Sequence, residues 1–162
     1  MAWPSSIPTF TALATLTAAK LNDIRDALNA VGGSWTTYIP AWDAATSSPT
    51  LNNGVITGAY RQLGKTVDYR ISLVIGSTTA LGTGYYTFTL PVSTGGSLPQ
   101  HHPVGTATAY DATGLIYTRQ LTLQTSTLVV LRDNGGSAIT NASPVVWATG
   151  DRIMIQGSYE IA

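Results

Sequence analysis

Residues 55–75 read VITGAYRQLGKTVDYRISLVI, and this stretch predicts a β-hairpin. Val55 to Leu63 forms the first strand, Gly64-Lys65 the turn, and Thr66 to Ile75 the second strand. Side chains of the second strand alternate: Asp68, Arg70 and Ser72 fall on one face, and the apolar ones on the other, namely Val67, Tyr69, Ile71, Leu73 and Ile75. A period of two is typical of a strand with one buried face. The hairpin therefore predicts an antiparallel sheet that covers a core.

Other short strand-like segments lie on both sides of this hairpin. They are separated by turn signals at intervals of about 8–12 residues, and they comprise residues 34–40, 85–90, 104–110, 115–123, 127–131, 144–148 and 152–161. Asp133-Asn134-Gly135-Gly136 is typical of a tight hairpin turn. About eight to ten short strands predict a mainly β chain whose residues 34–162 form an antiparallel, jelly-roll-like β-sandwich.

One amphipathic helix is predicted ahead of the strands, in the segment 17–33. Thr17 is placed to serve as its N-cap, and Gly32-Gly33 ends it. Its apolar residues recur at spacings of three and four, and they are Leu21, Ile24, Leu28 and Val31. The opposite face is polar and consists of Asn22, Asp23, Asp26 and Asn29. We call the apolar set the helix seam.

The helix seam has two interpretations. A strict seam with Leu at position a and Ile at position d is typical of a coiled coil and favours three or four strands. Such a seam can also pack against the β-domain, as most amphipathic helices do. We expect a trimeric stem; because two heptads alone are marginal, the following domain would have to trimerise as well.

The first 16 residues predict an extended arm. Pro4 and Pro8 fix the backbone and restrict the residues before them. Trp3, Ile7 and Phe10 are too apolar for the arm to remain in water. Either they anchor the chain to another protein of a particle, or the arm folds back on its own domain.

Low charge excludes several classes of function. Eight basic and eight acidic residues cancel, and charged residues make up 10% of the chain, against roughly 25% in average soluble domains. Nucleic acid is not an expected partner, because phosphate backbones are bound by clustered Lys and Arg. No membrane insertion is expected either, because no segment approaches the roughly 20 apolar residues that a span requires. The absence of cysteine excludes thiolate-held zinc and iron–sulfur clusters.

Catalytic and metal-binding patterns are not found in the sequence. His101 and His102 are the two histidines, and adjacent residues in an extended loop point in opposite directions. Three protomers around an axis could assemble a histidine site, but an ordinary polar loop is favoured. Without a nucleophile elbow or a recognisable carboxylate pair, we expect no catalytic residues, no metal, no cofactor and no enzymatic activity.

Aromatic residues are the remaining candidates for ligand contact. Trp42 and Tyr110 lie near predicted loops, where a binding surface is expected, and His101 and His102 are added as loop residues. Aromatic rings stack on sugars, although core or interface packing is the more common use. Trp35 and Trp147 fall in strand patterns and are expected to be buried.

The chain resembles virion proteins of actinobacteriophages, of the short tail-fibre, minor tail or head-decoration type. The resemblance lies in Ile7-Pro-Thr-Phe10, in Leu16 to Leu28 (LTAAKLNDIRDAL), in Gly58 to Val67 (GAYRQLGKTV), in Phe88-Thr-Leu-Pro91 and in Gly150 to Glu160 (GDRIMIQGSYE). It covers nearly the whole chain. It implies a homotrimer with an N-terminal helix and a β-sandwich knob, localised to the virion. Proteins of this kind attach to host surfaces or decorate capsids.

These expectations define a leading function and an alternative. The leading function is a non-enzymatic structural protein whose homotrimeric knob is displayed on a capsid or tail, in contact with other virion proteins. Unlike a long tail fibre, the chain has no shaft between the helix and the knob, and this favours capsid decoration. The alternative is a tail-fibre adhesin that binds a glycan of the host surface through loop aromatics.

Overall fold

The computed structural model describes residues 17–31, 33–132 and 137–162, which form one helix and nine strands. The helix α1 spans Ala18–Val31. The strands are β1 (Thr36–Tyr38), β2 (Trp42–Ala44), β3 (Val55–Leu63), β4 (Thr66–Val74), β5 (Tyr86–Thr89), β6 (Pro103–Tyr110), β7 (Ile116–Leu123), β8 (Leu128–Arg132) and β9 (Arg152–Glu160). A mainly β fold is therefore confirmed.

All nine strands hydrogen-bond into one antiparallel sheet in the order β1-β3-β4-β9-β6-β7-β8-β5-β2. Its outermost strands, β1 and β2, are consecutive in the chain and joined by residues 39–41. Such a short link forces the sheet to curl until its two edges come close. Thr89 of β5 spans the gap: its Oγ1 accepts from Ala41 N at 2.8 Å, and its carbonyl accepts from Tyr38 OH at 3.4 Å. The predicted jelly-roll arrangement of a sandwich is not confirmed.

The predicted hairpin is confirmed in its register. β3 and β4 pair from Val55 opposite Val74 to Leu63 opposite Thr66. Gly64 in the turn adopts a φ of 60°, a left-handed conformation that glycine adopts without steric cost. The predicted inward face of β4 is buried over Val67, Tyr69, Ile71 and Leu73. The hairpin thus supplies one wall of the core.

Strand β9 lies in the middle of the sheet and joins its two halves. Ile155 sits between Ile71 of β4 and Ala107 of β6, and Ile153 sits between Leu73 and Ala109. All six side chains are buried, so β9 carries apolar contacts to both neighbours. Each fully buried Ile or Leu stabilises the fold by roughly 1.5–3 kcal/mol.

Two parts of the strand prediction are wrong. Residues 42–44 form β2, where the sequence predicts no strand, and residues 144–148 form no strand. Trp147 is nevertheless buried as expected, and its Nε1 donates to the Thr140 carbonyl at 2.8 Å. A three-residue strand is too short to show alternation, whereas a buried loop can be as apolar as a strand. The predicted turn at 133–136 and the predicted arm at 1–16 lie outside the described residues.

The start of α1 agrees with the prediction. Lys20 N donates to Thr17 Oγ1 at 3.3 Å, which is the hydrogen bond of an N-cap. The cap satisfies one of the backbone donors that a helix leaves unpaired in its first turn. The stem segment therefore begins where the sequence places it.

Asp151 connects two loops at one end of the sheet. Its carboxylate accepts from Ala112 N at 2.9 Å and from Ala148 N at 2.7 Å. The side chain is buried, and both backbone donors would lose their carboxylate partner if it were removed. Its role agrees with the expectation that Asp stabilises a turn.

We expect Asp151→Ala to lower the free energy of unfolding by about 3 kcal/mol, because two charge-assisted hydrogen bonds that connect the two loops are lost. Urea denaturation followed by circular dichroism measures the change. Asp68→Ala is the control, because Asp68 makes an ion pair on the more exposed outer face, and such pairs contribute about 0–1 kcal/mol. Equal effects of the two substitutions would contradict the role of Asp151.

Two tyrosines lie edge to face in the core. The rings of Tyr69 and Tyr159 are 5.5 Å apart, and Tyr159 OH donates to the Val92 carbonyl at 2.6 Å. Burial raises the pKa of Tyr159 to about 12, and burial also raises the pKa of Tyr69. Both hydroxyls therefore stay protonated in the folded protein at a pH where those of the unfolded chain, with pKa values of about 10, ionise.

We expect the free energy of unfolding to fall as the pH rises from about 10 to 12, because over this range the unfolded chain releases tyrosine protons that the folded protein retains. Chemical denaturation at a series of pH values measures this slope. In Tyr159→Phe the slope should be shallower. A slope that Tyr159→Phe leaves unchanged would show that the buried hydroxyl does not contribute.

Candidate functional site

The helix seam is not covered by the described strands. Leu21 is 50% exposed and Leu28 is 66% exposed, while Ile24 is half-buried. Val31 is the last residue of α1. Large apolar side chains at this spacing on one helix face are typical of a contact surface. The seam is the first candidate site.

The predicted anchoring residues, Trp3, Ile7 and Phe10, lie outside the described residues. Their proposed contact with a particle therefore remains a prediction.

Trp42 is part of the core wall rather than an open loop. It lies in β2 and packs edge to face on Tyr86, with ring centroids 5.2 Å apart. Its Nε1 is buried and has no hydrogen-bond partner among the described residues. A ligand could reach only the part of the ring that stays exposed, so stacking on this indole is restricted.

The structure does not bring the other predicted contacts together. His101 and His102 precede β6, and Tyr110 ends it, which places them about 23 Å or more apart at a rise of roughly 3.3 Å per residue. His101 is exposed and has a φ of 66°. Within 17–31, 33–132 and 137–162, no group of three or more His, Asp or Glu side chains is close enough to hold a metal ion.

A hollow of about 580 Å³ lies on the outer face of the sheet, opposite the core. We call it the outer groove. Its side chains come from five adjacent strands and are mostly hydroxyls and amides on an aliphatic floor: Thr37, Thr57, Ala59, Arg70, Ser72, Thr106, Thr108, Met154 and Gln156. Met154 is 42% exposed and supplies the largest apolar surface of the floor.

Cross-strand register places these groove residues side by side. Gln156 of β9 is opposite Arg70 of β4 and Thr106 of β6. Met154, two residues earlier, is opposite Ser72 and Thr108. The groove is therefore built from rows of side chains that cross adjacent strands, from the edge strand β1 to β6.

The hydroxyl and amide groups of the groove have no hydrogen-bond partner in the described part of the chain. The side chains of Thr57, Ser72, Thr106, Thr108 and Gln156 make no hydrogen bond to any described residue. Exposed hydroxyls in the loops of this chain, by contrast, do form internal hydrogen bonds, as Ser47 Oγ and Thr83 Oγ1 do at 2.8 Å. The groove therefore presents free donors and acceptors to whatever occupies it.

An aromatic ring and two guanidinium groups line a second hollow that adjoins one end of the groove. Trp35 is 37% exposed, and the Cζ atoms of Arg70 and Arg61 lie 4.4 Å and 5.3 Å from the centre of its ring. Arg61 Nε also donates to Asp68 Oδ2 at 2.9 Å. Arg70 forms no ion pair with any described residue. The prediction that Trp35 is buried is wrong, since part of its ring is exposed beside the groove.

No family model, curated protein or solved structure matches this chain. In the described part of the chain, no helix has the length and hydropathy needed to cross a membrane. Functional proposals therefore depend on the helix seam and the outer groove. The first surface is apolar and suits another protein chain, whereas the second is polar and suits a hydroxylated ligand.

Proposed function

We propose that the chain is a non-enzymatic structural protein of a phage virion, whose homotrimeric knob is displayed on the surface of the capsid or tail. The observation that carries this proposal is the exposed helix seam. Leu21 and Leu28 present half or more of their surface to solvent, although helices of this length are marginal unless their apolar face is packed. A copy of the same helix offers a matching seam.

The proposed assembly has three parts. Residues 17–33 form a short coiled-coil stem of three helices, in which Leu21, Ile24, Leu28 and Val31 meet their symmetry mates. Residues 34–162 form the knob, for which a jelly-roll-like arrangement is retained as a proposal. The arm 1–16 anchors the trimer to other virion proteins through Trp3, Ile7 and Phe10.

The surface chemistry and the resemblance support a place on a virion. Only 10% of the residues are charged, so solubility depends on hydroxyl-bearing side chains. Neither nucleic acid nor a membrane interior suits such a surface as a partner. The resemblance to short tail-fibre, minor tail and head-decoration proteins of actinobacteriophages supports the same assignment.

A second candidate function is a glycan-binding adhesin that attaches the particle to its host. It is favoured by the outer groove, with its unpaired hydroxyl and amide groups beside Trp35. Display and adhesion are compatible, since a displayed knob can also carry a binding site. Host attachment is then a property of the knob, while trimerisation is a property of the stem.

We expect Ile24→Asp to dissociate the trimer, because it places three carboxylates against one another in an apolar seam. Light scattering coupled to gel filtration and native mass measurement, both at micromolar protein, report the mass. Asn22→Asp is the matched control, because it adds the same charge to the exposed polar face of the helix. The control should keep three times the monomer mass.

Two outcomes would overturn the stem proposal. One is a wild-type protein that is a monomer at micromolar concentration. The other is an Ile24→Asp variant that remains trimeric, which would show that the knob alone organises the assembly. Unchanged circular dichroism of the sheet identifies dissociation as a loss of assembly rather than of folding.

The location of the protein is tested on purified phage particles with a gold-labelled antibody against the knob. Regular labelling of heads supports capsid decoration, and labelling of tails supports a tail-fibre or minor tail role. Particles without label would overturn the virion assignment.

A further inference from the structure

We propose that the outer groove binds an acidic oligosaccharide, with Arg70 contacting a carboxylate of the sugar. The inference deepens the adhesin function and rests on the proposed display of the knob, which is needed to expose the groove on a particle. Three properties of the groove support this ligand: its size, its unused polar groups and its unpaired cation.

The size of the groove suits a small oligomeric ligand. Its volume of about 580 Å³ falls within the roughly 300–1,000 Å³ that is usual for ligand sites. The neighbouring hollow beside Trp35 shares Arg70, Thr106 and Gln156 with it, so the two form a continuous path. A path of this kind accepts a chain of linked rings better than a single compact ligand.

The unused polar groups suit a polyhydroxylated ligand. Hydroxyls donate and accept, and the Gln156 amide does both. A sugar ring presents the same mixture at its edge and an aliphatic surface on its face, which matches the exposed Met154 thioether of the floor. An extended peptide that binds by adding a strand would need a free strand edge, whereas the groove lies on a sheet face.

Arg70 specifies an acid on the ligand. Asp68 neutralises Arg61 through a hydrogen bond of 2.9 Å, whereas Arg70 pairs with no described carboxylate. The ring of Trp35 lies 4.4 Å from its guanidinium carbon, and this stacking limits the rotamers of a long side chain. A pre-oriented planar guanidinium binds a carboxylate through two parallel hydrogen bonds.

One unpaired cation argues against a nucleic acid in this groove. Phosphate backbones are held by several Lys and Arg contacts along their length. The groove offers one such contact among neutral hydroxyls. An oligosaccharide that places one acidic ring at Arg70 and its other rings along the hydroxyls satisfies both features at once.

Isothermal titration with defined tetrasaccharides tests the proposal on the full chain. The acidic probes are tetragalacturonate, tetraguluronate and the hyaluronate tetrasaccharide, and the neutral ones are maltotetraose and chitotetraose. We expect saturable binding of at least one acidic probe that weakens as salt is added. Arg70→Gln should weaken binding by about 10-fold or more. Arg70→Lys should weaken it less, because lysine keeps the positive charge although it cannot form the two parallel hydrogen bonds of a guanidinium.

Arg152→Gln is the matched control. Arg152 lies on the same strand and the same face as Gln156, about 13 Å away at the usual rise of a strand, and it is exposed outside the groove. Its substitution removes the same charge and should change the affinity by less than about twofold. Thermal melting of every variant verifies that the fold is retained.

Three results would overturn the proposal: no saturable binding of any acidic probe, equal binding of acidic and neutral probes, or an effect of Arg152→Gln as large as that of Arg70→Gln. Molecular mass is measured on the same samples, so that the two proposals fail separately. A trimer that binds no acidic probe rejects the groove proposal alone, and a monomer that binds one rejects the stem alone.

Discussion

Alternation along β4 is the constraint on which both the core and the groove depend. Its inward side chains, such as Ile71 and Leu73, pack against β9, while its outward side chains, Arg70 and Ser72, line the outer groove. A register slip of one residue would exchange the two sets. It would bury an unpaired guanidinium and expose Ile71 and Leu73, and both changes carry a large free-energy cost. Packing of the core therefore also determines which side chains of β4 line the outer groove.

Local patterns predicted the parts of the fold whose signals are local. The β3–β4 hairpin follows from alternation and from Gly64 at its turn, and the start of α1 follows from the Thr17 cap. β2 could not be predicted, because a strand of three residues is too short to show an alternation of apolar and polar side chains. The strand order was not predictable, since the positions of β9 and β2 depend on contacts between residues far apart in the chain.

The two candidate sites also differ in whether a local sequence pattern can predict them. Spacings of three and four identified the helix seam without any structure, and Leu21 and Leu28 are indeed exposed. The outer groove could not be found in this way, because Arg70, Thr106 and Gln156 are brought together only by the register of three strands. A single outward threonine is ordinary in a strand. Loop position instead predicts Trp42 and His101 as ligand contacts, and neither of them lines the outer groove.

The central position of β9 has a consequence for biosynthesis. β9 is the last strand of the described chain to leave the ribosome, yet it pairs with both β4 and β6. Until residues 152–160 emerge, the nascent sheet is split, with two unpaired edges that are able to recruit other strands. Translation speed over the codons for residues 152–160 and the availability of chaperones should therefore affect the yield of folded protein.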